Sequence, residues 1–373
     1  MQKKRLRSLD VFRGLTVALM VVVNNPGDWG NVYPPLLHAQ WHGCTPTDLV
    51  FPFFLFIVGV AISLSLNKKK FDKQTHPQII QSVLKRGILI FLLGFLTMLY
   101  PKFDFNTVRI MGVLQRIGIV YVVVSVLFIT LNTKNLIFAT LFIFIGYGLA
   151  VGLMPDYSKG YVDLAQKDVN FGAYLDRLIF TERHLWAAAK TWDPEGLFST
   201  IGSLSTALMG VWVGNLLSMP KEPKRMFQIT VLGLASVVLG LVLSPILPIN
   251  KALWTSTYSL FTSGLAIGVL VFLHWLIDLK GYLGVFKPFM WYGVNAMLVF
   301  FGSAMLVKTL RLIQVSTPHS DKPVALTRYF YDNCFKVNFN VAQNASLAYA
   351  VFWLLFWGII LYVLHRKNWI WKV

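Results

Sequence analysis

The stretch Asp48-Leu-Val-Phe-Pro-Phe-Phe-Leu-Phe-Ile-Val-Gly-Val-Ala-Ile-Ser-Leu-Ser-Leu66 decides the fold. After Asp48 it holds no charged residue through Leu66. A helix rises about 1.5 Å per residue, so this run reaches ~27 Å, close to the ~30 Å hydrocarbon core of a bilayer. Working outward, similar apolar runs lie at about 9–24, 83–100, 109–131, 136–154, 196–217, 227–247, 252–276, 286–307 and 346–364, which with 49–66 make ten candidate spans. Composition agrees: 56% of residues are hydrophobic, 13% are charged, and the mean hydropathy is +0.61. A soluble domain is nearer one-quarter charged. The expectation is an all-α polytopic membrane protein, a single domain over 1–373 with the lipid bilayer as its solvent.

The net charge of +18 does not point to nucleic acid, because the basic residues fall in short clusters between apolar runs. Lys3, Lys4, Arg5 and Arg7 form one cluster. Lys68–Lys70 with Lys73, Lys85 and Arg86 form another, and Lys221, Lys224 and Arg225 a third. Their alternation between spans puts both termini in the cytoplasm, which an even number of spans satisfies. The first outer segment, 25–48, has no Lys or Arg. Two longer outer loops, about 155–195 and 308–345, mix charges with aromatics such as Tyr157, Tyr161, Tyr174, Trp186 and Trp192. They read either as caps over a site or as plain connections.

Within Trp192-Asp-Pro-Glu-Gly196 the local explanation is a helix start, with Asp193 as N-cap, Pro194 at N1 and Glu195 in the first turn. A site role for Glu195 is the competing reading. Gly210-x-x-x-Gly214 is a helix-packing pattern. Cys44 and Cys334 both fall on the outer side, on distant loops, and are expected to be unpaired. The first apolar stretch leads to Asn24-Asn25-Pro26-Gly27 rather than to a small-residue cleavage site, so no removable signal peptide is expected. There is no metal-ligand spacing, phosphate-binding glycine loop or Gly-x-Ser-x-Gly elbow, and no metal is expected.

Chemistry points to Asn24–Asp48. The preceding span is short: about fifteen residues reach roughly 22 Å against a core near 30 Å. Asn24 and Asn25 therefore lie at membrane depth, where a polar backbone must face protein or a water-filled cavity. His38, Trp41, His42 and Asp48 should gather at the outer mouth of such a pocket. Histidine suits acyl transfer because its pKa near neutrality lets it deprotonate an amine or alcohol, or accept the acyl group itself. A neighbouring carboxylate can orient the ring. The competing reading is a loop histidine making local hydrogen bonds.

Other polar residues lie inside spans: Gln115 and Arg116 in the fourth, Asn295 in the ninth. Arg116 either contacts an anionic substrate group or pairs with a carboxylate such as Asp48. On the cytoplasmic side Ser8 can cap the first helix, and Asp10 and Arg13 are spaced to pair on one face. The basic rim there either attracts a polyanion such as coenzyme A or serves only as a topology anchor.

These residues resemble a family. Arg5-Leu-Arg-Ser-Leu-Asp-Val-Phe-Arg-Gly14, Leu19-Met-Val-Val-Val-Asn-Asn-Pro-Gly27 and Leu37-His-Ala-Gln-Trp-His-Gly-Cys-Thr-Pro-Thr-Asp-Leu-Val-Phe-Pro-Phe-Phe54 resemble heparan-α-glucosaminide N-acetyltransferase and its bacterial relatives. Val-Leu-Gln-Arg-Ile-Gly at 113–118, Trp-Asp-Pro-Glu-Gly at 192–196, Asn-Lys-Ala-Leu-Trp at 250–254 and Pro-Phe-Met-Trp-Tyr-Gly-Val-Asn at 288–295 extend the resemblance along the chain.

The resemblance implies transfer of acetyl from cytoplasmic acetyl-CoA to the amine of a glucosamine-type sugar or glycan on the far side. It implies His38 as the active-site histidine and Asn24 as the asparagine ending the preceding helix; Asp48 is expected to join them as a catalytic residue, holding the acceptor ammonium or tuning the histidine. Trp41, Asn25, Glu195, Arg116 and Asn295 are expected to contact the acceptor, and Arg13 and Lys251 the coenzyme A. The expected location is a bacterial inner (plasma) membrane, and a homodimer is an open arrangement. The N-terminal luminal domain of the lysosomal enzyme has no counterpart before the first span, which loosens any transfer of substrate identity. An O-acyltransferase of surface polysaccharide and, further off, an amino-sugar transporter are the rival readings. The latter would predict an inverted repeat that the sequence does not show.

Overall fold

The computed structural model describes residues 6–67, 69–219, 223–317 and 320–371. Lys3, Lys4, Arg5, Lys68 and Lys221, which entered the topology argument, lie outside the described residues. Helices occupy all ten expected stretches: α1 (Arg7–Asn24), α2 (Val50–Leu66), α3 (His76–Leu99), α4 (Val113–Thr130), α5 (Thr133–Leu153), α7 (Leu197–Ser218), α8 (Pro223–Val242), α9 (Ser256–Leu273), the pair α10 (Lys287–Val294) and α11 (Ala296–Leu312), and α13 (Ala342–Arg366). A short helix α6 (Phe171–Phe180) lies in the first of the two long loops. The second carries a hairpin of β1 (Gln314–Thr317) and β2 (Ser320–Ala325), followed by α12 (Leu326–Cys334).

Among the described residues, eight helices are long and apolar enough alone to cross a membrane, and the α10–α11 pair, bent by 71°, brings the number to nine. The first stretch falls short of that standard because α1 carries Arg7, Asp10 and Arg13. Asp10 and Arg13 have internal partners. Asp10 pairs with Arg13 at 3.3 Å as expected, and Arg13 also donates to the Gly293 carbonyl at 3.2 Å. Ser8 does not cap α1. Leu6 stands at the N-cap, and Asp278 from the segment after α9 accepts the amides of Arg7 and Ser8, each at 3.3 Å.

Helix α7 is the centre: 83% of its most apolar stretch is buried, against 22% for α5 and α8. Its closest partner is α2, where a β-carbon on Gly59 would stand 1.8 Å from the Ala207 carbonyl and one on Gly210 2.1 Å from the Phe56 carbonyl. Small residues thus let the two backbones touch, as the Gly210 pattern suggested. The outer helices present Phe142, Ile145, Phe227, Leu234, Leu355 and Ile359 outward, where lipid is their solvent. Cys44 and Cys334 are both free.

Two starts differ from expectation. Helix α7 begins at Leu197 with Gly196 at its N-cap, not at Asp193. Asp193 is drawn away by Arg109, and Asp176 of α6 accepts the Leu197 amide instead, at 2.9 Å. The expected span 286–307 is broken at Asn295, which ends α10 and precedes α11.

Candidate functional site

The loop between α1 and α2 builds the site. Pro46 sits at the first position of a helical turn, Pro46–Leu49, that leads into α2, and Thr45 and Asp48 close a reciprocal capping box around it. The cap fixes the Asp48 carboxylate. Oδ2 accepts from the amides of Ala39 at 2.9 Å and Thr45 at 3.1 Å, and from the Thr45 hydroxyl at 3.0 Å. Oδ1 lies 2.7 Å from His38 Nδ1 and 3.3 Å from Lys251 Nζ. Asp48 is 1% exposed, whereas the His38 side chain is 56% exposed. The network assigns the Nδ1 proton to the bond with the carboxylate, which leaves Nε2 with a lone pair facing outward.

Lys251 arrives at this pair through stitching between two loops. Gly43, whose φ of +106° suits glycine, donates its amide to the Ile249 carbonyl at 2.8 Å. Asn250 Nδ2 reaches the Trp41 carbonyl at 3.0 Å and His42 Nδ1 at 3.3 Å. Lys251 then stands 3.0 Å from His38 Nδ1. Lys251 lines a cavity with His38, whereas Arg13 lines a different one.

His38, Lys251, Asn24 and Glu195 line one cavity of about 130 Å³, whose remaining walls include Met20, Phe51 and Phe300. Asn24 presents an amide with no hydrogen-bond partner among the described residues. Glu195 is held by Arg109 at 2.5 Å, and Arg109 also grips Asp193 through two nitrogens. Burial opposes ionisation of Glu195, but the charges of Arg109 and Arg116 outweigh it and lower its pKa. Burial likewise opposes the charge on Arg109, and Glu195 and Asp193 outweigh that in turn, raising its pKa.

A second cavity, of about 450 Å³, opens at the end of the bundle that carries the N-terminus. Arg13, Arg86, Tyr121 and Trp371 are among its walls, and Arg86 lies over the Tyr121 ring at 5.2 Å. Phe54 and Ile117 line both cavities. The two spaces therefore adjoin at these apolar side chains.

Several expected contacts lie elsewhere. Trp41 leaves the His38 cavity, donates to the Leu164 carbonyl at 2.7 Å and packs edge-on against Trp192. Asn25 folds back onto the Val21 carbonyl at 2.7 Å. Arg116 does not pair with Asp48. It is fully buried, donates to Thr200, Ser199 and the carbonyls of Pro194 and Gly196, and lies between the rings of Phe51 and Trp254. It thereby ties α4 to the start of α7. Asn295 lies away from the His38 cavity and holds backbone near Trp371. Sequence reasoning passed over Arg109 and gave Arg86 only a topology role; both fall near the ends of apolar runs, and no local motif singles them out.

Fold and site define a polytopic membrane protein with two internal cavities, the smaller of them lined by the histidine of a histidine–carboxylate pair. Residues 5–159 match the model of the catalytic region of heparan-alpha-glucosaminide N-acetyltransferase. Over 99% of its length it is 29% identical to the human (Homo sapiens) heparan-alpha-glucosaminide N-acetyltransferase and 28% identical to the mouse (Mus musculus) protein. The chain spans 60% of the length of each of these relatives.

Proposed function

We propose that the protein transfers acetyl from acetyl-CoA, bound at the cytoplasmic end, to the amine of a glucosamine-type sugar at the opposite face. The names of its relatives motivate the reaction class. The observation that carries the reading is the meeting of the two cavities at Phe54 and Ile117, with guanidinium groups at one end and the His38–Asp48 pair at the other. The fit to coenzyme A is chemical: Arg13 and Arg86 suit a diphosphate, and the apolar side chains where the cavities adjoin suit a thin pantetheine arm. A bacterial plasma membrane is the location this reading adopts.

His38 Nε2 takes a proton from the acceptor amine as nitrogen attacks the thioester carbonyl. The N–C bond forms, the C–S bond breaks, and coenzyme A leaves as thiolate that is then protonated. Asp48 has five donors for about four lone-pair sites, so it orients and charges the imidazole rather than binding substrate. The Asn24 amide and the Lys251 ammonium, which line the same cavity, are the donors suited to the developing oxyanion. Glu195, ionised beside Arg109, suits an ammonium or hydroxyl of the sugar.

The test is transfer by purified protein in detergent with acetyl-CoA and glucosamine, wild type beside His38→Ala. N-acetylglucosamine and free coenzyme A should form together and fall by roughly 10²–10⁴ in the variant, the scale of a lost general base. Normal turnover by a folded His38→Ala protein would overturn the assignment. Direct transfer also predicts no acetylated enzyme by intact-mass spectrometry when the acceptor is omitted.

A further inference from the structure

The chain does not stop where α13 leaves the bundle. Asn368 adopts a left-handed conformation, φ +54°, which an asparagine tolerates at a helix end, and turns the backbone back inward. Trp369 donates its amide to the Leu364 carbonyl at 2.9 Å, completing the turn. The next residues run to the break between α10 and α11. There Asn295 grips them from both sides: its Nδ2 reaches the Trp369 carbonyl at 3.4 Å, and its Oδ1 accepts the Trp371 amide at 2.9 Å. Asn295 is 2% exposed.

A backbone segment without a helical ladder at this depth needs such a partner, because lipid offers none. The Trp371 ring lies 6.1 Å from that of Phe301, and Ile370 and Trp371 form part of the wall of the larger cavity, with Arg13 and Arg86 among the other walls. No carboxylate pairs with Arg86 among the described residues. An indole and two guanidinium groups around one cavity are the chemistry that recognises an aromatic base joined to a diphosphate.

We propose that Trp369–Trp371, pinned by Asn295, is a built wall of the donor site and that Trp371 contacts the base of a coenzyme A-type nucleotide. The proposal rests on the reading of the larger cavity as the donor's. It gives Asn295 a positioning role towards the donor, in place of the acceptor contact expected from sequence.

Calorimetric titration of the detergent-solubilised full chain with coenzyme A tests it, together with steady-state kinetics. Trp371→Ala should weaken binding about ten-fold or more, the size of a lost base–aromatic stack, while Trp371→Phe retains most of the affinity. Asn295→Ala should weaken it as well. In both alanine variants the KM for acetyl-CoA should rise, with kcat and the KM for glucosamine little changed. Unchanged affinity in all variants overturns the wall, and tighter binding overturns it in favour of a plug. Absence of coenzyme A binding by the wild type would overturn the donor reading itself, and is distinguishable because no variant is needed to see it.

Discussion

At the scale of single residues the site is a problem in holding one imidazole still. Asp48 accepts three donors from Ala39 and Thr45 on Oδ2 and meets His38 and Lys251 on Oδ1. Replacing it with asparagine keeps the size but removes the charge and presents two N–H donors to amides that also donate. Asp48→Asn should lower kcat by roughly 10²–10⁴ with coenzyme A affinity retained, measured by turnover and by titration. Arg109 gives a different signature. Its carboxylate partners Asp193 and Glu195 are nearly buried, so Arg109→Met leaves them without their cation and should cost about 3–5 kcal/mol, read in denaturation of the detergent-solubilised protein.

The grouping of Asn24, His38 and Asp48 was readable because it follows from one short span and one short loop. Lys251 was named with the coenzyme A contacts, but its place beside His38 was not readable, because it depends on hydrogen bonds between segments some two hundred residues apart. Trp41 and Asn25 were misleading for a related reason: each had a nearer carbonyl to satisfy than any ligand.

At the scale of elements, the helices were legible and their ends were not. Apolar runs fix where a span lies, since hydrocarbon demands it. Caps depend on tertiary partners, so Ser8 and Asp193 lost their expected roles to Asp278 and Asp176. Asp176 also makes a pH prediction. Burial, with Asp193 close by, pushes its carboxyl up to about 7, above the 3.8 of an unperturbed aspartate. A raised acid pKa means stability that is full below the unfolded value and is lost as pH rises through the folded one. The melting temperature should therefore fall between about pH 4 and about pH 7, and Asp176→Asn should flatten that slope. A thermal scan across pH that shows equal slopes for both proteins would remove Asp176 as the cause.

Packing between elements is equally testable. At the α1–α10 crossing a β-carbon on Gly14 would stand 1.7 Å from the Phe289 carbonyl and one on Gly293 1.9 Å from the Asp10 carbonyl. Gly14→Ala must push the helices apart and should lower the melting temperature. Because Arg13 and Asn295 flank this crossing, it should also weaken coenzyme A binding.

At the scale of the whole molecule, the bundle surrounds two adjoining cavities with unlike ends. One end offers guanidinium groups and an indole; the other offers an imidazole, a carboxylate, an ammonium and a free amide. The sequence made the membrane class and the outer pocket legible, because both follow from where polarity appears along apolar runs. It did not reveal the second cavity, whose walls come from α1, α2, α3, α4, α10, α11 and the segment after α13. No local pattern connects seven such pieces.

The most direct measurement is sided acetyl transfer in proteoliposomes. Glucosamine is trapped inside vesicles whose protein presents its N-terminal end outward, and labelled acetyl-CoA is added outside. The account predicts labelled N-acetylglucosamine in the lumen and coenzyme A outside, with both lost in His38→Ala. Transfer that occurs only when donor and acceptor share one side of the membrane would contradict it.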